Sequence, residues 1–227
     1  MEAWAIQGGI RMYEYVDGKL VQRYDRKCRK ILEKLRQVLR EEYGIDCQIS
    51  LVGSGARNMV TRNGNGPFDL DYNLILQSYP KEFDHDLGRL KRVIRETIDS
   101  ISRDVNFFPG KDSRSVVTML LASPVSKAPV FHADLAILSK NIEGDFQRLI
   151  HNKQIFSEGY YTWCKLPDSH RVGRRAAVLR QQGYWTEVRK VYLDHKDEYL
   201  RSLYHRTSFQ VYVETVNEVF QRYYGHL

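Results

Sequence analysis

Two aspartates one residue apart, Asp69 and Asp71, sit in the run Phe68-Asp69-Leu70-Asp71-Tyr72. Phe68, Leu70, Tyr72 and Leu74 alternate with Asp69, Asp71 and Asn73. That period of two predicts a strand with an apolar back and an acidic front. Neighbouring carboxylates on one face repel unless something positive neutralises them. Hard oxygen donors of this kind suit magnesium or manganese. Asp is poor in strand interiors, so two in alternation need a reason. An Asp-x-Asp taken alone is equally consistent with a half-exposed strand whose acids face water.

Two further pieces bear on the pair. Upstream, Val52-Gly53-Ser54-Gly55 reads as a strand ending in a small-residue turn, which offers backbone N–H groups and a hydroxyl to a phosphate. Downstream, Asp134 stands in the otherwise largely apolar run Val130-Phe131-His132-Ala133-Asp134-Leu135-Ala136-Ile137-Leu138. A buried, unpaired carboxylate is costly, so Asp134 is expected to meet a cation, either a metal ion or an Arg or Lys.

Taken in order, these pieces resemble the nucleotidyltransferase superfamily typified by DNA polymerase beta. Its pattern is an apolar strand, Gly-Ser, a short helix, a strand bearing Asp-x-Asp, and a third acid on a later strand. Gly53-Ser54 match the first motif, Asp69 and Asp71 the second and Asp134 the third, over roughly residues 47–138. The resemblance implies an α+β fold, a small mixed or antiparallel sheet flanked by helices. It also implies a two-metal site of Mg2+ or Mn2+ on Asp69, Asp71 and Asp134, with Asp134 assisting deprotonation. Gly53, Ser54 and Arg57 would face the nucleotide. The reaction implied moves a nucleoside monophosphate from a triphosphate such as ATP to a hydroxyl, releasing pyrophosphate. The acceptor stays open among an RNA 3′ end, a second nucleotide, a protein side chain and a small molecule such as an aminoglycoside. The alternative is a catalytically silent protein of the same fold that binds nucleotide or RNA. The spacer between Ser54 and Asp69 is long, and Asn63-Gly64-Asn65-Gly66 reads as a loop extension. No motif assigns the chain to one branch of the superfamily.

Several other side chains are ambiguous. Arg57 and Arg62 read equally well as phosphate contacts and as surface arginines. Lys111 and Arg114 are in the same position. His132 shares a strand face with Asp134 and reads best as a satisfied structural histidine. Tyr160, Tyr161 and Trp163 would stack on a base or, more commonly, pack one part of the chain on another. Lys153 falls in the same region. Arg171, Arg174 and Arg175 open a helix, where positive charge opposes the helix dipole.

These residues need elements to position them. An apolar stripe through Val21, Tyr24, Cys28, Ile31, Leu32, Leu35, Val38 and Leu39 predicts a helix over about residues 20–42, with Gly44 as its stop. Its other face, with Arg23, Arg26, Lys27, Lys30 and Lys34, reads as a solvated surface. Strands are expected over 46–52, 68–76, 115–122 and 130–138, and a helix over 82–105. After Lys140 the pattern reads as helices over 142–156, 169–182, 184–204 and 208–224. The expected division is a catalytic core with its N-terminal helix over 1–140 and a helical C-terminal cap over 141–227.

The chain has 227 residues, 42% hydrophobic and 28% charged, enough to bury a sizeable core. It has no apolar run of membrane-spanning length and no signal-peptide core, so a cytoplasmic protein without a membrane partner is expected. Cys28, Cys47 and Cys164 are too dispersed for a metal-ligand pair or a disulfide framework. The net charge of +7 favours polyanionic partners without choosing among them.

Overall fold

The computed structural model describes residues 13–103, 107–110, 113–122, 129–152, 160–201 and 206–225. In chain order the elements are β1 (Tyr13–Tyr15), α1 (Gly18–Tyr43), β2 (Asp46–Val52), α2 (Gly53–Arg57), β3 (Thr61–Asn63), β4 (Phe68–Ser78) and a 3-10 turn (Lys81–Asp84). Then follow α3 (Leu87–Arg103), β5 (Phe108–Pro109), β6 (Val117–Ala122), β7 (Pro129–Lys140), β8 (Phe146–Asn152), β9 (Tyr160–Lys165), α4 (His170–Gln181), α5 (Trp185–Arg201) and α6 (Ser208–Tyr224). The fold is mixed α+β, a sheet flanked by helices, as the motifs imply.

Two compact units divide the chain: residues 16–60 with 67–168, and residues up to 15 with 61–66 and from 169 onward. The first unit holds the acidic residues. Its sheet, seven strands among the described residues, runs β2-β4-β7-β6-β5, with β8 paired to the far end of β7 and β9 to β8. Among the described strands only β4 and β7 pair in parallel.

One face of this sheet is apolar and lies under α1 and α3. Leu70, Tyr72, Leu74, Ala133, Leu135 and Ile137 are buried there with Leu35 and Leu39 of α1 and Ile94 and Ile98 of α3. An aromatic cluster anchors the α1 contact: Tyr24 meets Phe68 edge-on at 5.2 Å and Phe131 at 4.6 Å between ring centroids. The expected stop of α1 is present, and its start carries a cap that the sequence reading did not name. Asp17 accepts hydrogen bonds from the backbone N–H groups of Lys19 and Leu20, and Gly44 ends the helix at φ 64.

Past Lys140 the structure departs from the sequence expectation. The helix expected over 142–156 is not formed: Phe146–Asn152 is β8, pairing antiparallel with β7 at Leu138, Ser139 and Lys140. The run Phe-Gln-Arg-Leu-Ile-His-Asn is too short for its period to separate helix from strand, and the free end of β7 supplies the pairing that decides. β9, with Tyr161 and Trp163 packed against the same core, completes the sheet-bearing unit. The spacer between Ser54 and Asp69 also holds a strand, β3, which ends at Asn63 where the expected loop extension begins and pairs with β1.

In the second unit α4, α5 and α6 lie where the sequence places helices. Buried Asp197 on α5 accepts a hydrogen bond from the Tyr13 backbone at 2.6 Å, tying β1 to that helix. No helix among the described residues is long and apolar enough to cross a membrane.

Candidate active site

The acidic front forms because β4 alternates as predicted. Phe68, Leu70, Tyr72, Leu74 and Leu76 are buried, while Asp69 is exposed and Asp71 half-buried on the other face. The parallel register with β7 sets Asp69 opposite His132 and Asp71 opposite Asp134. Residues opposite one another in a ladder project to the same side. The three carboxylates named from the sequence therefore share one face of two adjacent strands.

Burial, then Asp69, then Asp134 push the carboxyl of Asp71 up to about 6 from 3.8, with Arg148 and Arg57 opposing. Asp71 is thus the centre of a partly desolvated patch of negative charge. Asp134 differs from the expectation of a cationic partner: it is half-buried and accepts a hydrogen bond from the Thr118 hydroxyl on β6 at 2.5 Å. A hydroxyl steers a carboxylate without supplying a countercharge.

The small-residue turn belongs to the same place. Val52 pairs with Asp71, so the turn begins where β2 leaves β4. Gly53 has φ +60, and a β-carbon there would collide with the Asp71 carboxylate. Only glycine allows both this backbone conformation and this approach. Gly55 is held similarly close, its missing β-carbon 2.9 Å from a Leu51 methyl. Ser54 and Arg57 follow in α2, and Arg57 contributes positive potential at Asp71.

The donors present are carboxylate oxygens with mutual repulsion to relieve, which fits Mg2+ or Mn2+. Among the described residues no three His, Cys, Asp or Glu side chains are gathered into a ready-made ligand set. The carboxylates share a face and a field.

The remaining candidates divide. His132 is on the acidic face opposite Asp69, and its Nε2 is buried without a hydrogen-bond partner among the described residues, so it is not satisfied at that atom. Arg62 pairs with Glu14 at 2.6 Å in the β1–β3 ladder of the second unit. Arg114 donates to Asn152 at 3.1 Å. Tyr161 stacks on His151 with centroids 4.3 Å apart, a packing role within β8 and β9. Arg175 donates to Asn217, tying α4 to α6. Lys111 and Lys153 lie outside the described residues. Arg148 on β8 was not singled out from the sequence, yet it acts on Asp71. A stretch read as helix hid the register that turns it toward the acids.

No protein-family model matches the sequence, and no curated protein matches it. Solved structures do match. The chain is similar to the Escherichia coli DncV in its 3′-deoxy GTP bound form, with TM-score 0.60 and 10% identity over 97% of this chain and 72% of that one. It is similar to the Vibrio cholerae DncV cyclic AMP-GMP synthase in complex with the linear intermediate pppA(3′,5′)pG, with TM-score 0.58 and 10% identity over 91% of this chain and 74% of that one. It is also similar to CdnC of Escherichia coli MS115-1 with ATP, with TM-score 0.54 and 13% identity over 91% of this chain and 62% of that one. At such identity the likeness is one of fold, and activity has to be argued from the site. The chain shares the fold of these DncV and CdnC structures, the α+β fold that its motifs imply.

Proposed function

We propose that this chain is a metal-dependent nucleotidyltransferase that moves a nucleoside monophosphate from a nucleoside triphosphate to a hydroxyl acceptor. The observation that carries the reading is the in-register placement of Asp71 opposite Asp134, with Asp69 on the same face and Gly53 against the Asp71 carboxylate. Three carboxylates on one face, with the Asp71 carboxyl raised by its burial, Asp69 and Asp134, suit cation-assisted transfer better than silent nucleotide binding.

Asp69, Asp71 and Asp134 would hold Mg2+ or Mn2+, which when bound supplies positive charge to the triphosphate and to the attacking oxygen. The protein's own groups do the positioning. The backbone of Gly53 and the hydroxyl of Ser54 receive the phosphate tail, and Arg57 adds positive charge on that side. Asp134, aimed by Thr118, takes the proton of the acceptor hydroxyl. The oxygen of that hydroxyl bonds to the α-phosphorus in line as the bond to the β-phosphate oxygen breaks, and pyrophosphate leaves with the electron pair. Little covalent work falls to the protein, and orientation and charge stabilisation supply most of the rate. The acceptor proposed is a ribose hydroxyl of a second nucleotide. Its support is the likeness to DncV, a cyclic AMP-GMP synthase that holds a linear dinucleotide intermediate.

The test is incubation with each labelled ribonucleoside triphosphate, singly and in pairs, with Mg2+ or Mn2+, followed by product identification. Pyrophosphate release is expected to fall roughly a hundredfold or more in Asp69→Asn and Asp71→Asn. Release unchanged in both variants would remove the activity from this site.

A further inference from the structure

Arg148 is the arginine whose environment asks for a ligand. On β8 it stands opposite Leu138 of β7. Leu138 has the parity of Asp134 along β7, so Arg148 is on the acidic face. Its Nε is buried without a hydrogen-bond partner, and it joins no salt bridge among the described residues. Burial pushes its guanidinium below the usual range, and the field of Asp71 opposes that push.

Other arginines of the same unit are spent. Arg29 pairs with Asp25 at 2.8 Å and Arg36 with Glu33 at 2.7 Å. A guanidinium carries five donors in a planar fork. Leaving the Nε of this half-buried fork desolvated without a partner is costly, and cations taken out of water are ordinarily paired. Asp71 acts on Arg148 through space without making a bond to it. What would satisfy the fork is an anion presenting two oxygens, and phosphate does so bidentately.

The placement is specific. Val52 opposite Asp71 sends the Gly53–Ser54 turn toward the Asp69 end of β4. Leu138, the partner of Arg148, lies opposite Ile75, toward the other end of β4. The turn and the guanidinium therefore bracket the carboxylates along the strand direction, as the two sides of an in-line displacement require.

We propose that Arg148 is a substrate-binding residue, its fork taking a phosphate oxyanion of a bound nucleotide on the flank of Asp71 away from Gly53–Ser54. The proposal rests on the nucleotidyl-transfer reading. The phosphate has two sources, the donor's α-phosphate and a phosphate of the accepting nucleotide. The shared chemistry is the oxyanion.

Isothermal titration of the full chain with α,β-methylene ATP and Mg2+ separates them, with Arg148→Met and Arg148→Lys beside wild type and pyrophosphate alone as a second probe. Arg148→Met is expected to weaken one equivalent about tenfold to a hundredfold. Loss at the first equivalent assigns the donor's phosphate, and loss at the second assigns the acceptor's. The thermal midpoint of Arg148→Met should equal or exceed wild type, because the residue holds no structural partner. Arg148→Lys keeps the charge without the fork and should retain part of the affinity. Wild-type affinity for both equivalents in either folded variant overturns the proposal, while pyrophosphate release by wild type then keeps the transfer reading. Pyrophosphate binding lost in Arg148→Met, in a chain that transfers nothing, leaves Arg148 as a phosphate ligand and removes the transfer reading. A wild-type chain that binds neither probe overturns both.

Discussion

Asp71 sits where burial and two neighbouring carboxylates all disfavour its charge, at about 6 against 3.8 for a free side chain. The folded state therefore binds its proton more tightly than the unfolded chain does. The stabilisation linked to that proton is fully present below pH 4 and is lost as pH rises through 6. Asp71→Asn should raise stability at pH 7.5 by about 1–2 kcal/mol, after allowance for partial solvent screening. Denaturant melts of both proteins from pH 3.5 to 8 check this: the difference should vanish near pH 4, and a constant difference would mean that another contact is responsible. Gly53 carries a second constraint at this scale. Gly53→Ala must leave φ +60 or move the Asp71 carboxylate. It should cost about 1–3 kcal/mol of stability and suppress pyrophosphate release, measured on the same preparation. Release at the wild-type rate would show that the close approach is dispensable.

At the scale of elements, the β4–β7 pair matters most, because its two faces serve opposite ends. Phe131 is fully buried in contact with the rings of Tyr24, Phe68 and Phe107. One residue along, His132 already faces the acids. Phe131→Ala should destabilise by about 3–5 kcal/mol through the cavity it leaves. Thermal unfolding measures the loss, and activity at low temperature should persist in the fraction still folded. The common facing of Asp69 and Asp71 was legible from alternation, since a period of two assigns every side chain of a strand to a face, whereas Asp134 stood out as the one acid of an apolar run. β8 was not legible, because seven residues of mixed character fit either a helix or a strand until β7 offers them a partner.

At the scale of the molecule, the net charge of +7 is not a signature of the acidic face. Helix α1 alone carries nine Lys and Arg against four Asp and Glu, and it packs on the apolar side of the sheet, opposite the carboxylates. A cation bound at the acids would stabilise the whole folded chain by mass action. Mg2+ or Mn2+ at about a hundredfold over its dissociation constant should add roughly 2.7 kcal/mol. Thermal midpoints with metal and with chelator check this. The increment should be absent in Asp71→Asn, and an equal increment there would place the ion elsewhere.

The sequence by itself determined the chemistry on offer. Gly53-Ser54, Asp69, Asp71 and Asp134 are read from local alternation, turn residues and order along the chain, and local patterns survive without knowledge of neighbours. The Gly44 stop of α1 and the three C-terminal helices are local in the same way. Only the tertiary structure decided that Asp71 faces Asp134, that Thr118 steers Asp134, and that Gly53 lies on the Asp71 carboxylate. It also decided that Arg148 turns toward the acids. Each of these depends on which strand lies beside which, and in what register. Strand register is set by long-range pairing and burial, which no short window of residues contains.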